Sequence, residues 1–131
     1  MEKVKMGTRI QTAMIIDDDI DLGIVLTSIL ERRKIPTMAV HSLPEAEECL
    51  SHMKPTVIFL DNSFPEGLGV NFIRNIKTSD NKIKIVMITA DENSWIEKKA
   101  TEEGVNYFLK KPFSVETINH VLDEMNFRKA V

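Results

Sequence analysis

The chain has 131 residues, 43% of them hydrophobic and 28% charged, which excludes a disordered protein or a disulfide-framed miniature and gives one domain enough apolar material for an ordinary core. Its formal net charge of -3, from 17 Lys plus Arg against 20 Asp plus Glu, offers no broad basic surface of the kind duplex nucleic acid demands. A lone cysteine, Cys49, cannot close an internal disulfide, and no apolar run approaches the roughly 18 residues of a membrane span.

The elements follow in chain order. Residues 1–10 read as an N-terminal tail on a single domain that accounts for 1–131, and the start MEKVKMGTRIQ lacks the apolar stretch of a signal peptide, so a cytoplasmic protein is expected. Thr12 to Ile16 is apolar on both faces and reads as a first buried strand. Asp17, Asp18 and Asp19 follow it. Leu22, Val25, Leu26, Ile29 and Leu30 then recur at spacings of three, one, three and one, which predicts one core-facing stripe on a helix ending near Arg33. Thr37 to Val40 is the second strand. Ser42, with Glu45 three residues on and Pro44 in the first turn, predicts a capping box opening a short helix through His52, in which Cys49 is a small packing residue.

Thr56 to Leu60 is the third strand and runs directly into Asp61. Phe72, Ile73 and Ile76 mark a third helix, stopped by the polar SDNK stretch before a fourth strand from Ile83 to Ile88. A fourth helix runs from about Asn93 through Glu103 to a stop at Gly104, and Asn106 to Lys110 is the fifth strand. Ser114 caps a last helix bearing Ile118, Val121, Leu122 and Met125. Right-handed crossovers make this an α/β, doubly wound, five-stranded parallel sheet of flavodoxin-like order 2-1-3-4-5 with helices on both faces, and such a sheet gathers its ligands at the carboxyl ends of its strands.

Those ends carry Asp17 to Asp19, Asp61, Thr89, and Lys111 with Pro112. Carboxylates crowded together repel one another unless a cation joins them. Mg²⁺, or Mn²⁺ in its place, takes oxygen ligands and keeps several waters, so two or three carboxylates plus a phosphoryl oxygen suit it. An Asp carboxylate can also attack phosphorus and form an aspartyl phosphate, with the metal and a lysine ammonium offsetting the charge on the transferring group.

The segments MIIDDD, VIFLDNSFPEGLG, VMITAD and YFLKKPF together resemble the four signature stretches of response-regulator receiver domains of two-component signalling, over nearly the whole chain. The resemblance implies that Asp17 and Asp18 form the acidic pair for Mg²⁺, that Asp61 is the phosphorylation site, and that the backbone carbonyl of Ser63 adds a metal ligand. It implies Thr89 as the switch hydroxyl and Lys111, favoured over Lys110 by the following proline, as the ammonium on the phosphoryl group. Ser63 and Asp91 would line the path of the hydrolytic water and set the phosphoryl lifetime, with Ala90 leaving the group accessible. Phe108 stands where the family often has a switch tyrosine; it can swing inward but brings no hydroxyl. Leu68 replaces the aspartate of a common Asp-Gly pair, while Gly69 keeps the turn glycine.

Asp19 can be a metal ligand or only the cap of the first helix, and Trp95 can be core or part of an exposed partner face. His41, His52 and His120 lack ligand spacing, which argues against zinc, and seven methionines read as gap-filling core residues. The expected partners are a histidine kinase or histidine phosphotransfer protein as donor, and a downstream protein or an output domain as receiver of the signal. Phosphorylation from small donors and slow self-dephosphorylation are expected, without enzyme activity on another substrate. The alternative is an adaptor of the same fold that works without phosphorylation. A flavin carrier is disfavoured because the Asp17 to Asp19 run would repel its phosphate. An Asp phosphatase is disfavoured because the chain has no room for a cap domain.

Overall fold

The computed structural model describes residues 10–91 and 93–130. Of the tail expected over 1–10, only Ile10 lies within the described residues, exposed and outside any element. The strands are β1 (Ala13–Ile16), β2 (Thr37–Val40), β3 (Val57–Leu60), β4 (Lys84–Thr89) and β5 (Tyr107–Lys110). The helices are α1 (Ile20–Glu31), α2 (Leu43–Leu50), α3 (Ile73–Ser79), α4 (Ser94–Glu103) and α5 (Val115–Glu124). All pairings in the main sheet are parallel, in the expected order β2-β1-β3-β4-β5.

Period-two alternation sends neighbouring strand residues to opposite faces, which is why β1 and β3 are buried along their whole length. Met14, Ile16, Ile58, Leu60 and Met87 pack under α2, α3 and α4, against Leu50, Ile73, Ile76, Ile96 and Ala100. Ala13, Ile15, Val57, Phe59 and Val86 face α1 and α5, against Leu26, Ile29, Leu30, Ile118 and Leu122. Caps stand where the sequence placed them: Ser42 Oγ accepts from Glu45 N–H, Ser114 Oγ from Thr117 N–H, and Gly104 ends α4 in the left-handed region at φ 102°.

Two expectations need correction, on Val25 and the methionines, and two features were not foreseen. Val25 is 45% exposed instead of core, because at 3.6 residues per turn it stands about 90° from the middle of the buried face that Leu26, Ile29 and Leu30 define. The methionines divide: Met14 and Met87 are core, whereas Met38 on edge strand β2 is exposed. Arg33 lies beyond α1 and is buried, its guanidinium donating to Asn119, Asp123 Oδ1 and the Arg128 carbonyl, so it ties α1 to α5. Between β3 and α3 the chain forms an unanticipated antiparallel pair of two-residue strands, Ser63–Phe64 with Gly67–Leu68, then a 3₁₀ turn, Gly69–Phe72.

Candidate functional site

Register assembles the site. Ile16 pairs with Leu60, so the next residues, Asp17 and Asp61, leave neighbouring strands side by side. Each stays anchored by one more ladder bond, Asp17 N–H to the Val40 carbonyl at 3.1 Å and Asp61 N–H to the Ile16 carbonyl at 2.9 Å. Thr89 pairs with Lys110, and Lys111 N–H donates to the Thr89 carbonyl at 3.0 Å, bringing the ends of β4 and β5 to the same edge.

Asp17, Asp18 and Asp61 each offer a carboxylate oxygen, all within 4.8 Å of one another. Asp17 and Asp61 are only 3% and 5% exposed, while Asp18 opens to solvent. The Lys111 ammonium sits between the buried pair, 3.4 Å from Asp17 Oδ2 and 3.3 Å from Asp61 Oδ1. Lys110 is exposed, so the inward ammonium is that of Lys111. Asp19 is the α1 cap: its carboxylate accepts from Leu22 N–H, and its own N–H donates to Asp17 Oδ1 at 2.8 Å, which fixes how the Asp17 carboxylate turns.

The remaining sequence-derived candidates stand around this cluster. Thr89 is buried, and its Oγ accepts from Asp91 N–H at 3.0 Å, which leaves the hydroxyl proton free to donate elsewhere. The Asp91 carboxylate accepts from Asn93 N–H, so it is turned toward the start of α4. Ser63 is exposed at the start of the small hairpin, Ala90 is exposed beside Thr89, and Phe108 is half-buried against the cluster under α4. Trp95 is 46% exposed on α4 while its neighbour Ile96 is core, so the two alternatives divide between adjacent residues. His52 and His120 pair with Glu48 and Glu124 on the surface.

Sequence reasoning missed three contributors. His41 Nδ1 lies 3.0 Å from the Asp17 carbonyl, and Glu45, the far end of the capping box, reaches back to His41 N–H. Asn62 is fully buried: its Oδ1 accepts from Val70 N–H at 2.9 Å, while its Nδ2 has no partner among the described residues. An unpaired buried N–H costs about 1–3 kcal/mol, so this side chain is held at some expense. Glu66, at the hairpin tip, accepts from Leu43 N–H at the first turn of α2. The one available signal was an amide residue directly after a strand-end carboxylate.

Burial raises Asp17 and Asp61 above their ordinary 3.8, with repulsion from Asp61 adding to it at Asp17 and repulsion from Asp18 at Asp61, and the Lys111 ammonium together with backbone hydrogen bonds offsets this only in part. For Lys111, burial alone would lower the pKa, but Asp61 and Asp17 together outweigh it and hold the ammonium charged. All-oxygen donors with surplus negative charge fit a hard divalent cation. The sign for stability follows. A raised carboxylate binds protons more tightly in the folded state, so in metal-free protein its contribution is full below 3.8 and is lost as pH rises through the folded value. A divalent cation needs both groups ionised. Any thermal shift produced by an added divalent cation should therefore be largest near neutral pH and shrink as pH falls through the raised values. Differential scanning fluorimetry across that range checks this; a shift that grew on acidification would contradict it.

The family model for the response regulator receiver domain matches residues 13–123. The chain belongs to that family. This receiver is 29% identical over 116 residues to the transcriptional regulatory protein CitB of Klebsiella pneumoniae, covering 86% of this chain and 49% of CitB. It is 32% identical to the receiver domain of NtrC4, solved as a beryllofluoride-activated dimer, with a TM-score of 0.81 over 88% of this chain and 95% of that one. A Burkholderia pseudomallei response regulator, solved with a phosphorylated aspartic acid and calcium, shares the fold at a TM-score of 0.78 and 23% identity, over 88% of this chain and 72% of that one. The receiver spans about half the length of CitB, and among the described residues no helix is long and apolar enough to cross a membrane.

Proposed function

We propose that Asp61 accepts a phosphoryl group from a histidine kinase or histidine phosphotransfer protein, and that the acyl phosphate then resets a partner-binding face. The observation that carries this is one buried nucleophilic carboxylate beside a second carboxylate, a third at the rim and an ammonium between the first two. Asp17, Asp18, Asp61 and the Ser63 carbonyl would hold Mg²⁺, which when bound neutralises charge on the entering phosphoryl oxygens. Mn²⁺ would serve the same ligands. Asp61 supplies the attacking oxygen, and Lys111 offsets charge without moving far. The free proton of Thr89 is available to a phosphoryl oxygen; drawing Thr89 inward would pull on Asp91 and so on the start of α4, beside which Phe108 is packed. Phosphorylation can bias these two arrangements only by interacting differently with them. Ser63 and Asp91, two residues beyond Asp61 and Thr89 respectively, would set the rate of hydrolysis.

The donor would meet the exposed apolar residues of α1, Ile20, Ile24 and Val25, the first of them two residues after Asp18 and the other two sharing a groove with Val115 of α5. Ile24→Asp should slow transfer from a phosphorylated histidine donor about tenfold or more while leaving uptake from acetyl phosphate unchanged, since a small donor needs no docking surface. Equal slowing with both donors would place Ile24 in the fold and not in docking. Output passes to a protein partner or an output domain, and exposed Trp95 belongs to that face.

The direct test is intact mass after incubation with acetyl phosphate and Mg²⁺, beside a metal-free control. One phosphoryl adduct that needs the metal supports the reading. No adduct on folded protein would favour the adaptor, a reading that the presence of all four charged groups disfavours.

A further inference from the structure

The eight residues after Asp61 double back onto it, and Asn62 fastens them. Its carbonyl accepts from Gly69 N–H at 2.7 Å and its Oδ1 from Val70 N–H at 2.9 Å, so one residue closes both ends of the loop. Inside the closure Ser63 pairs with Leu68 and Phe64 with Gly67. Gly69 lies so close under the Asp61 carbonyl that a β-carbon could not fit between them. Outside it, Glu66 Oε2 accepts from Leu43 N–H at 2.6 Å, tying the hairpin tip to α2. The Nδ2 of Asn62, fully buried, has no partner among the described residues, a cost that an aliphatic side chain of the same size would avoid. What the amide supplies in return is the acceptor for Val70.

We propose that Asn62 is a positioning residue for the metal site: by closing this loop it presents the Ser63 carbonyl beside Asp61 and Asp17, with Glu66 as a weaker outer fastening. The proposal rests on the reading of Ser63 as a metal ligand. Ser63 is the next residue after Asn62, and with the Asn62 carbonyl held by Gly69 and its own strand paired to Leu68, its carbonyl has little freedom left to turn. Groups that orient a ligand without touching the metal commonly change affinity by an order of magnitude or more.

The test is a titration of the whole chain with Mg²⁺ alone, followed by backbone amide NMR, for the wild type, Asn62→Leu, Glu66→Ala and Glu66→Gln. Asn62→Leu keeps the volume and loses the acceptor; it should raise the half-saturating Mg²⁺ about tenfold. Phosphoryl uptake from acetyl phosphate should still reach the wild-type extent at saturating Mg²⁺, because Asp61 is intact. Glu66→Ala, on an exposed side chain, should raise half-saturation by a smaller factor, and Glu66→Gln, which keeps an acceptor oxygen, should restore it. A role in stability alone would lower the unfolding midpoint and leave the Mg²⁺ curve in place. If wild type shows no Mg²⁺-dependent shift around Ser63, the metal reading itself fails. If wild type responds and a folded Asn62→Leu follows the same curve, positioning is overturned; should Asn62→Leu not fold, an unchanged curve for Glu66→Ala overturns it.

Discussion

Asp61→Asn will take up no phosphoryl group from acetyl phosphate at any Mg²⁺ concentration, and its metal-free form will be more stable than wild type. The first half removes the nucleophile: a neutral amide in the place of the carboxylate cannot form the acyl phosphate. The second half comes from electrostatics. Asp61 is 5% exposed, lies within 4.8 Å of two other carboxylates and shares one ammonium with Asp17. Burial, the largest influence, raises its pKa despite Lys111, which means that the ionised group is worse off folded than unfolded. An amide of the same shape removes that penalty and lets Lys111 pair with Asp17 alone. The gain should be about 1–2 kcal/mol, a rise of a few degrees in Tm for a chain of this size. Added Mg²⁺ should narrow the difference, because the cation repays the carboxylate and not the amide. Urea unfolding of both proteins, with and without Mg²⁺, measures it. A less stable Asn variant would show that attraction to Lys111 outweighs burial.

How much of this could be read from the chain alone depends on how local each cause is. Asp17, Asp61, Thr89 and Lys111 were legible because a parallel sheet brings the last residue of each strand, or the one after it, to one edge, and strand ends are marked by where apolar runs stop. The caps at Ser42 and Ser114 were legible for the same reason, their partners lying three residues away. Val25 was misplaced because an apolar spacing gives the width of a stripe but not which margin α5 leaves uncovered. Arg33 gave no warning, since its partners Asn119, Asp123 and Arg128 lie some 90 residues on and meet it only when α1 and α5 pack. The hairpin after Asp61 was invisible for a related reason: two-residue strands have no period, and Asn62 matters only through bonds that exist once the loop has closed.

Gly69→Ala should be more damaging than the same change at any other described glycine. The glycine has an ordinary negative-φ backbone, so the objection is space and not conformation. A β-carbon there would fall on the Asp61 carbonyl oxygen, well inside van der Waals contact, and would also press on Asn62 Cα at 3.0 Å. Neither obstacle is the end of a flexible side chain. Asp61 is the residue directly after β3, its N–H bonded to the Ile16 carbonyl in the middle of the sheet, so it cannot retreat without breaking the ladder. The loop must move instead, which costs the Gly69 N–H to Asn62 carbonyl bond and strains the neighbouring bond from Val70 to Asn62 Oδ1. One or two lost bonds among buried groups, at about 1–3 kcal/mol each, with steric strain added, make a loss of about 3–5 kcal/mol. Chemical denaturation should show the midpoint falling with its slope unchanged, the mark of lost stability without a change in the surface exposed. The variant that remains folded should also bind Mg²⁺ more weakly if Ser63, carried by the displaced loop, supplies the carbonyl ligand proposed above. If Gly69→Ala kept wild-type stability, the close approach of this loop to the acceptor's own carbonyl would be wrong, and with it the reason why the chain has a glycine at this point.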